Sequence, residues 1–214
     1  MLFAIARPIL TLMLWICYPL KIYGKENIKH DGNTVIICNH LCKMDVPMVG
    51  YLFKGKTYYL AKKEWFNNKF LAWIFSRMGG IPVDRDKPDL QSTKQALSVL
   101  KSGKRLCIFP EGTRNRTGST DIMPLHGGAG MFAFKTQAKI IPINIHHKAK
   151  FWGKNYIYIG KSFDFSEFAG QRLDADLNDK LTEKMYNELV KAKAELEEIL
   201  AKEKLVKSRK NKKD

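Results

Sequence analysis

Thr34–Asp45 reads TVIICNHLCKMD, an apolar run that turns abruptly polar. Thr34, Val35, Ile36 and Ile37 are all β-branched and run into Cys38, which predicts a strand. The run ends at Asn39 and His40, and Asp45 follows His40 by five positions. If a helix begins just past the strand while His40 stays in the loop, Asp45 reaches the same side of the chain. It can then accept the proton of one imidazole nitrogen and leave the other as an acceptor facing a cleft, the arrangement of a general base. A histidine beside an aspartate also occurs as a plain structural pair, so the surroundings have to discriminate.

Further strand-like runs are TYYLA, GGIPVDR, RLCIFP, KIIPINI and NYIYIG, and helical patterns fall near 45–53, 64–78, 89–101 and 128–137. This alternation predicts a single α/β domain with a mixed, largely parallel central sheet flanked by helices. Ligands of such sheets gather at the carboxyl ends of the strands. The polar motifs sit there: NHLCKMD after TVIIC, DRD after IPV, and EGTR after CIFP.

FPEGTRNRTG, Phe109 to Gly118, follows an apolar strand and sets a glycine and a threonine between a carboxylate and an arginine. Gly112 permits a tight turn with exposed N–H groups, Thr113 adds a hydroxyl and Arg114 a planar bidentate donor, which together suit a phosphate monoester. Arg85 in GGIPVDRD brings a second guanidinium to another strand end. Two arginines and a base at adjacent strand ends describe a site for a phosphorylated alcohol, whereas either motif alone would read as an ordinary surface ion pair.

With 214 residues and no internal linker the chain reads as one domain. Its 37 Lys+Arg against 21 Asp+Glu give a net charge of +16, which predicts attraction to nucleic acid, an anionic bilayer or an acidic protein. The four cysteines, Cys17, Cys38, Cys42 and Cys107, form no C-x-x-C pair, and neither a disulfide framework nor a zinc ribbon is suggested.

Both ends of the chain suit a membrane. In LFAIARPILTLMLWICYPLKIYG, Arg7 is the only charged side chain before Lys21, yet the apolar centre is short for a span. We expect an uncleaved helix in the bilayer interface with Trp15 and Tyr18 near headgroup level; a core helix and a signal peptide are the competing readings. Toward the C-terminus Leu181, Met185, Leu189, Ala192, Leu196 and Leu200 recur at helical spacing, predicting one long amphipathic helix before the basic KSRKNKKD tail. The expected organisation is a membrane-associating segment at 1–21, a core at 22–170, and the helix with its tail at 171–214.

In order and spacing, NHLCKMD, GGIPVDR, FPEGTR and KIIPINI resemble the four motif blocks of the glycerolipid acyltransferases, most closely those acting on 1-acyl-sn-glycerol 3-phosphate. The resemblance implies transfer of a fatty acyl group from a thioester of acyl-carrier protein or coenzyme A to the sn-2 hydroxyl of lysophosphatidic acid, giving phosphatidic acid. No cofactor or metal is implied, since the thioester is a co-substrate. By similarity His40 is the base and Asp45 its orienting partner. Arg85, Glu111, Gly112, Thr113 and Arg114 bind the acceptor and its phosphate, Lys62 in LAKKEW polarises the thioester carbonyl, and Pro142 belongs to the acyl-donor block. Two departures stand out: Cys42 where the family usually carries serine, which raises a covalent acyl-cysteine route, and Pro82 where a bulky residue is usual.

The resemblance implies a peripheral or monotopic protein on the cytoplasmic face of the cell membrane, with lipids, lysophosphatidic acid and the acyl thioester as partners and no nucleic acid. The rivals are acyl transfer to glycerol 3-phosphate or another lysophospholipid, and a basic membrane- or nucleic-acid-binding protein without catalysis. A metal hydrolase using His30, His40, His126, His146 and His147 is disfavoured by the lack of H-x-x-x-H-type spacing.

Overall fold

The computed structural model describes residues 2–28, 32–84, 87 and 89–210. Its seven strands are β1 (Leu20–Tyr23), β2 (Thr34–Cys38), β3 (Thr57–Lys62), β4 (Gly80–Val83), β5 (Arg105–Ile108), β6 (Lys139–Ile145) and β7 (Asn155–Ile159). They form one sheet in the order β1-β7-β6-β2-β5-β3-β4. The neighbouring strands run parallel except for the β6–β7 pair. The helices are α1 (Leu2–Cys17), α2 (Asp45–Leu52), α3 (Lys69–Met78), α4 (Leu90–Lys101), α5 (Gly128–Thr136) and α6 (Ala175–Lys210).

Side chains alternate across a strand, and here both faces of the sheet are covered. Val35, Ile37, Leu106, Ile108 and Ile140 pack with Leu100 of α4, Phe132 of α5, and Leu181, Met185 and Leu189 of α6. Ile36, Cys38, Cys107, Ile141, Ile143, Ile157 and Ile159 pack on the other side with Leu14 of α1 and Met48 and Val49 of α2. All five residues of β2 are buried. A central parallel strand has no wet face, so TVIIC is an unbroken apolar run.

Three details differ from the sequence-based expectations. The helix expected over 64–78 is divided into a short 3-10 helix, Lys63–Phe66, and α3. The break lies at Asn68, whose side chain accepts from the N–H groups of Phe70 and Leu71 at 2.9 and 3.1 Å and caps α3. The second difference is β1, which was not foreseen. It straddles position 21 and pairs in parallel with β7, so the apolar N-terminal segment runs directly into the sheet. Third, the apolar row of the C-terminal helix is spent on the core: Leu181, Met185, Leu189, Ala192, Leu196 and Leu200 are all buried. Residues 211–214 of the basic tail lie outside the described residues.

α1 packs Leu10, Met13 and Leu14 toward the sheet. Its outer side leaves Ile5, Ile9, Leu12, Trp15 and Ile16 more than half exposed. Arg7 turns away from that side and donates to the carbonyl oxygens of Phe53 and Gly55 at 2.8 and 3.3 Å, just past the C-terminus of α2, where a helix dipole favours a cation. Among the described residues no helix is long and apolar enough to cross a membrane.

Candidate active site

The adjacent strands β2, β5, β3 and β4 all point their carboxyl ends to one edge of the sheet. That edge therefore gathers the motif following β2, the EGTR turn following β5 and Lys62 at the end of β3. Lys62 pairs with Val83, so the chain leaving β4 toward position 85 starts beside it. Arg85 itself lies outside the described residues.

Past Cys38 the chain leaves the sheet and re-enters helix at Asp45, the first residue of α2. Pro47 is tolerated because the first-turn N–H groups have no helical partner. The Asp45 carboxylate turns back into the loop. Its Oδ2 lies 2.8 Å from His40 Nδ1 and accepts from the N–H groups of Leu41 and Cys42 at 2.6 and 2.8 Å, while Cys42 Sγ donates to Oδ1 at 3.1 Å. Asp45 is fully buried. A carboxylate removed from water needs this many donors, and the loop supplies them from its own backbone. Because Asp45 accepts, His40 carries its proton on Nδ1 and keeps a lone pair on Nε2.

The ring of His40 stacks on Phe109 with centroids 4.1 Å apart. Its backbone is gripped on both sides by the turn after β5: the His40 N–H donates to Glu111 Oε1 at 3.1 Å, and the Asn115 N–H donates to the His40 carbonyl at 2.7 Å. NHLCKMD and FPEGTRN are thus one hydrogen-bonded unit. On the other side, the buried Asn39 amide pairs with both the N–H and the carbonyl of Ile145 at 2.8 and 2.9 Å, tying the loop to the end of β6. Asn39, Phe109 and Asn115 were not singled out from the sequence. Their adjacency to the motifs was the only signal available.

Glu111 is 2% exposed. Its Oε1 is occupied by the His40 N–H. Burial pushes its carboxyl up to about 7 from 4.5, with Asp45 adding to the rise and the N–H groups of His40 and Met123 opposing it. An acid raised by folding holds its proton longer in the native state than in the unfolded one. Stability from this group is thus full below about pH 4.5, falls as pH rises to about 7, and is level above that. Glu111→Gln mimics the protonated form. Thermal melts across pH 5 to 8 should find it near wild type at the acid end and relatively more stable, by up to about 3 kcal/mol, at the alkaline end; a parallel pair of curves would contradict the assignment.

Gly112 has φ +67°, a conformation that favours glycine, and a Cβ there would come within 2.6 Å of the His126 ring. Next to it on the turn, Thr113 is exposed and Arg114 half-buried. Lys62 is about half exposed and pairs with Glu64 at 2.7 Å. Trp65, on the same short helix, lies over Lys43 of the histidine loop at 5.3 Å. Pro142 sits within β6 opposite Ile37, buried, against Gly160 and Ala192, so its described contacts are with the sheet and α6. Among the described residues no three His, Cys, Asp or Glu side chains converge as a metal-holding group.

The profile of the family described as Acyltransferase matches residues 19–146, a span that holds the His40 loop, Lys62, the EGTR turn and Pro142. The chain belongs to the acyltransferase family. Among its relatives, a protein from Bacillus subtilis named 1-acyl-sn-glycerol-3-phosphate acyltransferase is 36% identical over 124 residues, covering 58% of this chain and 60% of its own length. One of the same name from Borreliella burgdorferi is 28% identical over 198 residues, 86% of this chain and 78% of its own. The crystal structure of the 1-acyl-sn-glycerophosphate acyltransferase PlsC from Thermotoga maritima shares the fold, with a TM-score of 0.65 at 24% identity over 94% of this chain and 78% of that one.

In this member of the acyltransferase family the state of Cys42 can be read from its contacts. Its thiol is directed at Asp45 Oδ1, and burial together with that carboxylate raises its pKa above the ordinary thiol value. A thiol held protonated is a poor nucleophile. Cys42→Ser, which keeps a donor to Asp45, should retain activity within a few-fold, while Cys42→Ala should lower kcat by about tenfold through one lost hydrogen bond to a charged group. A Cys42→Ser enzyme as dead as one lacking its nucleophile would instead mark an acyl-cysteine intermediate.

Proposed function

We propose that the protein moves a fatty acyl group from the thioester of acyl-carrier protein or coenzyme A to the sn-2 hydroxyl of lysophosphatidic acid, giving phosphatidic acid for phospholipid synthesis. The observation that carries this reading is the 2.8 Å His40–Asp45 pair bound through its backbone to the EGTR turn. That pairing brings a base next to a phosphate-suited loop, and relatives bearing the corresponding name are similar to this chain in sequence.

In this mechanism His40 Nε2 takes the hydroxyl proton as the oxygen attacks the thioester carbonyl. The positive imidazolium is stabilised by Asp45. The carbonyl oxygen becomes an oxyanion, stabilised by a backbone N–H or by Lys62 once it swings from Glu64, and the C–S bond then breaks. The thiolate leaves with the proton that His40 returns. Arg114 and Arg85 clasp the acceptor phosphate, with Thr113 and the Gly112 turn beside them. Pro142 contributes as a support of β6 in the acyl-donor block.

The exposed apolar side of α1 supports a peripheral or monotopic attachment to a membrane, and we assign it to the cytoplasmic face, where the acyl thioesters are available. The test is an acyl-transfer assay offering lysophosphatidic acid, glycerol 3-phosphate and lysophosphatidylcholine, each with acyl-carrier-protein and coenzyme A thioesters. Phosphatidic acid formed from lysophosphatidic acid alone is the expected result. Transfer to another acceptor would reassign the substrate, and transfer to none would remove the activity.

A further inference from the structure

The loop joining β6 to β7 reads HHKAKFWGK, residues 146–154, and carries no carboxylate. At its tip Phe151 and Trp152 are 57% and 73% exposed, with ring centroids 4.7 Å apart. Trp152 has φ +52°, a region uncommon for non-glycine residues and strained for a bulky one. Large aromatics in a strained turn facing water lower the stability of an isolated protein, so their presence calls for something that covers them.

The tip is built to be rigid. The Gly153 N–H closes the turn on the Lys150 carbonyl at 3.2 Å. Asn155, 1% exposed, accepts from the Lys150 N–H at 2.8 Å and donates to the carbonyls of Lys150 and Gly153 at 3.1 and 2.8 Å. The turn is also fixed to the end of α1: the Trp152 N–H donates to the Cys17 carbonyl at 2.7 Å, and Phe151 meets Tyr18 edge-on at 5.5 Å. The two rings are thereby presented at the C-terminal end of α1, whose last turn carries Trp15 and Ile16, 74% and 51% exposed.

We propose that the Phe151–Trp152 tip is a second membrane-inserting element, entering the headgroup region of an anionic bilayer alongside α1. The chemistry of the loop names the occupant. Lys148, Lys150 and Lys154 flank the two rings with no acid among them, the pairing of interfacial aromatics and cations that an anionic lipid surface attracts. A rigid tip enters without an ordering cost. Two attachments, one along α1 and one at the hairpin, also fix the rotation of the sheet against the membrane, which a single interfacial helix leaves free. This inference rests on the membrane attachment proposed above.

The experiment uses full-length protein and vesicles of phosphatidylcholine with and without phosphatidylglycerol. In a protein whose only tryptophan is Trp152, with Trp15, Trp65 and Trp73 changed to Phe, lipids brominated near the headgroup should quench its fluorescence. A companion retaining only Trp15 reports on α1. Trp152→Gly relieves the backbone strain, so it should melt no lower than wild type yet bind phosphatidylglycerol vesicles at least tenfold more weakly. Quenching of Trp15 but not Trp152 overturns the inserted tip and leaves the attachment through α1 standing. Absence of vesicle binding by the wild-type protein overturns both and turns attention to a protein partner for the tip.

Discussion

Replacing His40 by alanine should lower kcat for acyl transfer by roughly a hundred- to ten-thousand-fold, the range over which a positioned general base contributes. The protein should still fold and bind vesicles. The His40 side chain makes one hydrogen bond and one ring stack, with Asp45 and Phe109, while the backbone bonds to Glu111 and Asn115 persist in an alanine variant. The check is kcat and KM for lysophosphatidic acid, with a thermal melt and vesicle sedimentation on the same preparation. A folded variant keeping more than about a tenth of the wild-type rate would remove His40 from the chemistry.

Asp45→Asn should cost as much, for a different reason. Three donors converge on Oδ2, the His40 ring and the N–H groups of Leu41 and Cys42. The Asn carbonyl oxygen can take that place and satisfy the loop, so the backbone geometry survives. The charge that stabilises the imidazolium does not survive, and if the amide turns its NH₂ to His40 the ring is driven into the tautomer with its proton on Nε2, which cannot accept. A loss of kcat by at least about a hundredfold with KM little changed is therefore expected. Asp45→Ala should add a stability loss of about 3–5 kcal/mol, because it leaves the converging N–H groups buried without an acceptor. Equal melting temperatures for the Asn and Ala variants would show that the carboxylate does not organise the loop.

Much of the catalytic edge was legible from local signals. The run TVIIC announces a buried strand, the glycine of EGTR a tight turn, and the histidine-to-aspartate spacing a loop entering a helix. What was not legible is the joinery. The buried Glu111 accepts from the His40 N–H, a bond across 71 positions that no one-dimensional pattern announces. Asn39 and Ile145 are 106 positions apart, and only the strand order brings them together. The split at Asn68 shows the limit of apolar periodicity, which continues across a cap that stops the helix.

The two ends of the chain make the same distinction at larger scale. Both carry apolar residues at helical spacing, and the hydrophobic effect requires only that such a stripe be covered, without specifying by what. The α/β alternation, the strand ends at which the motifs lie and two helices with an apolar stripe follow from the sequence alone. Tertiary structure alone decided that α6 lays its stripe on β6 and α5, while α1 spends Leu14 on the sheet and keeps Ile5, Ile9, Leu12 and Trp15 outward. The reason is area: a sheet face is finite, and once neighbouring elements have filled it, the remaining apolar surface faces whatever lies outside the fold.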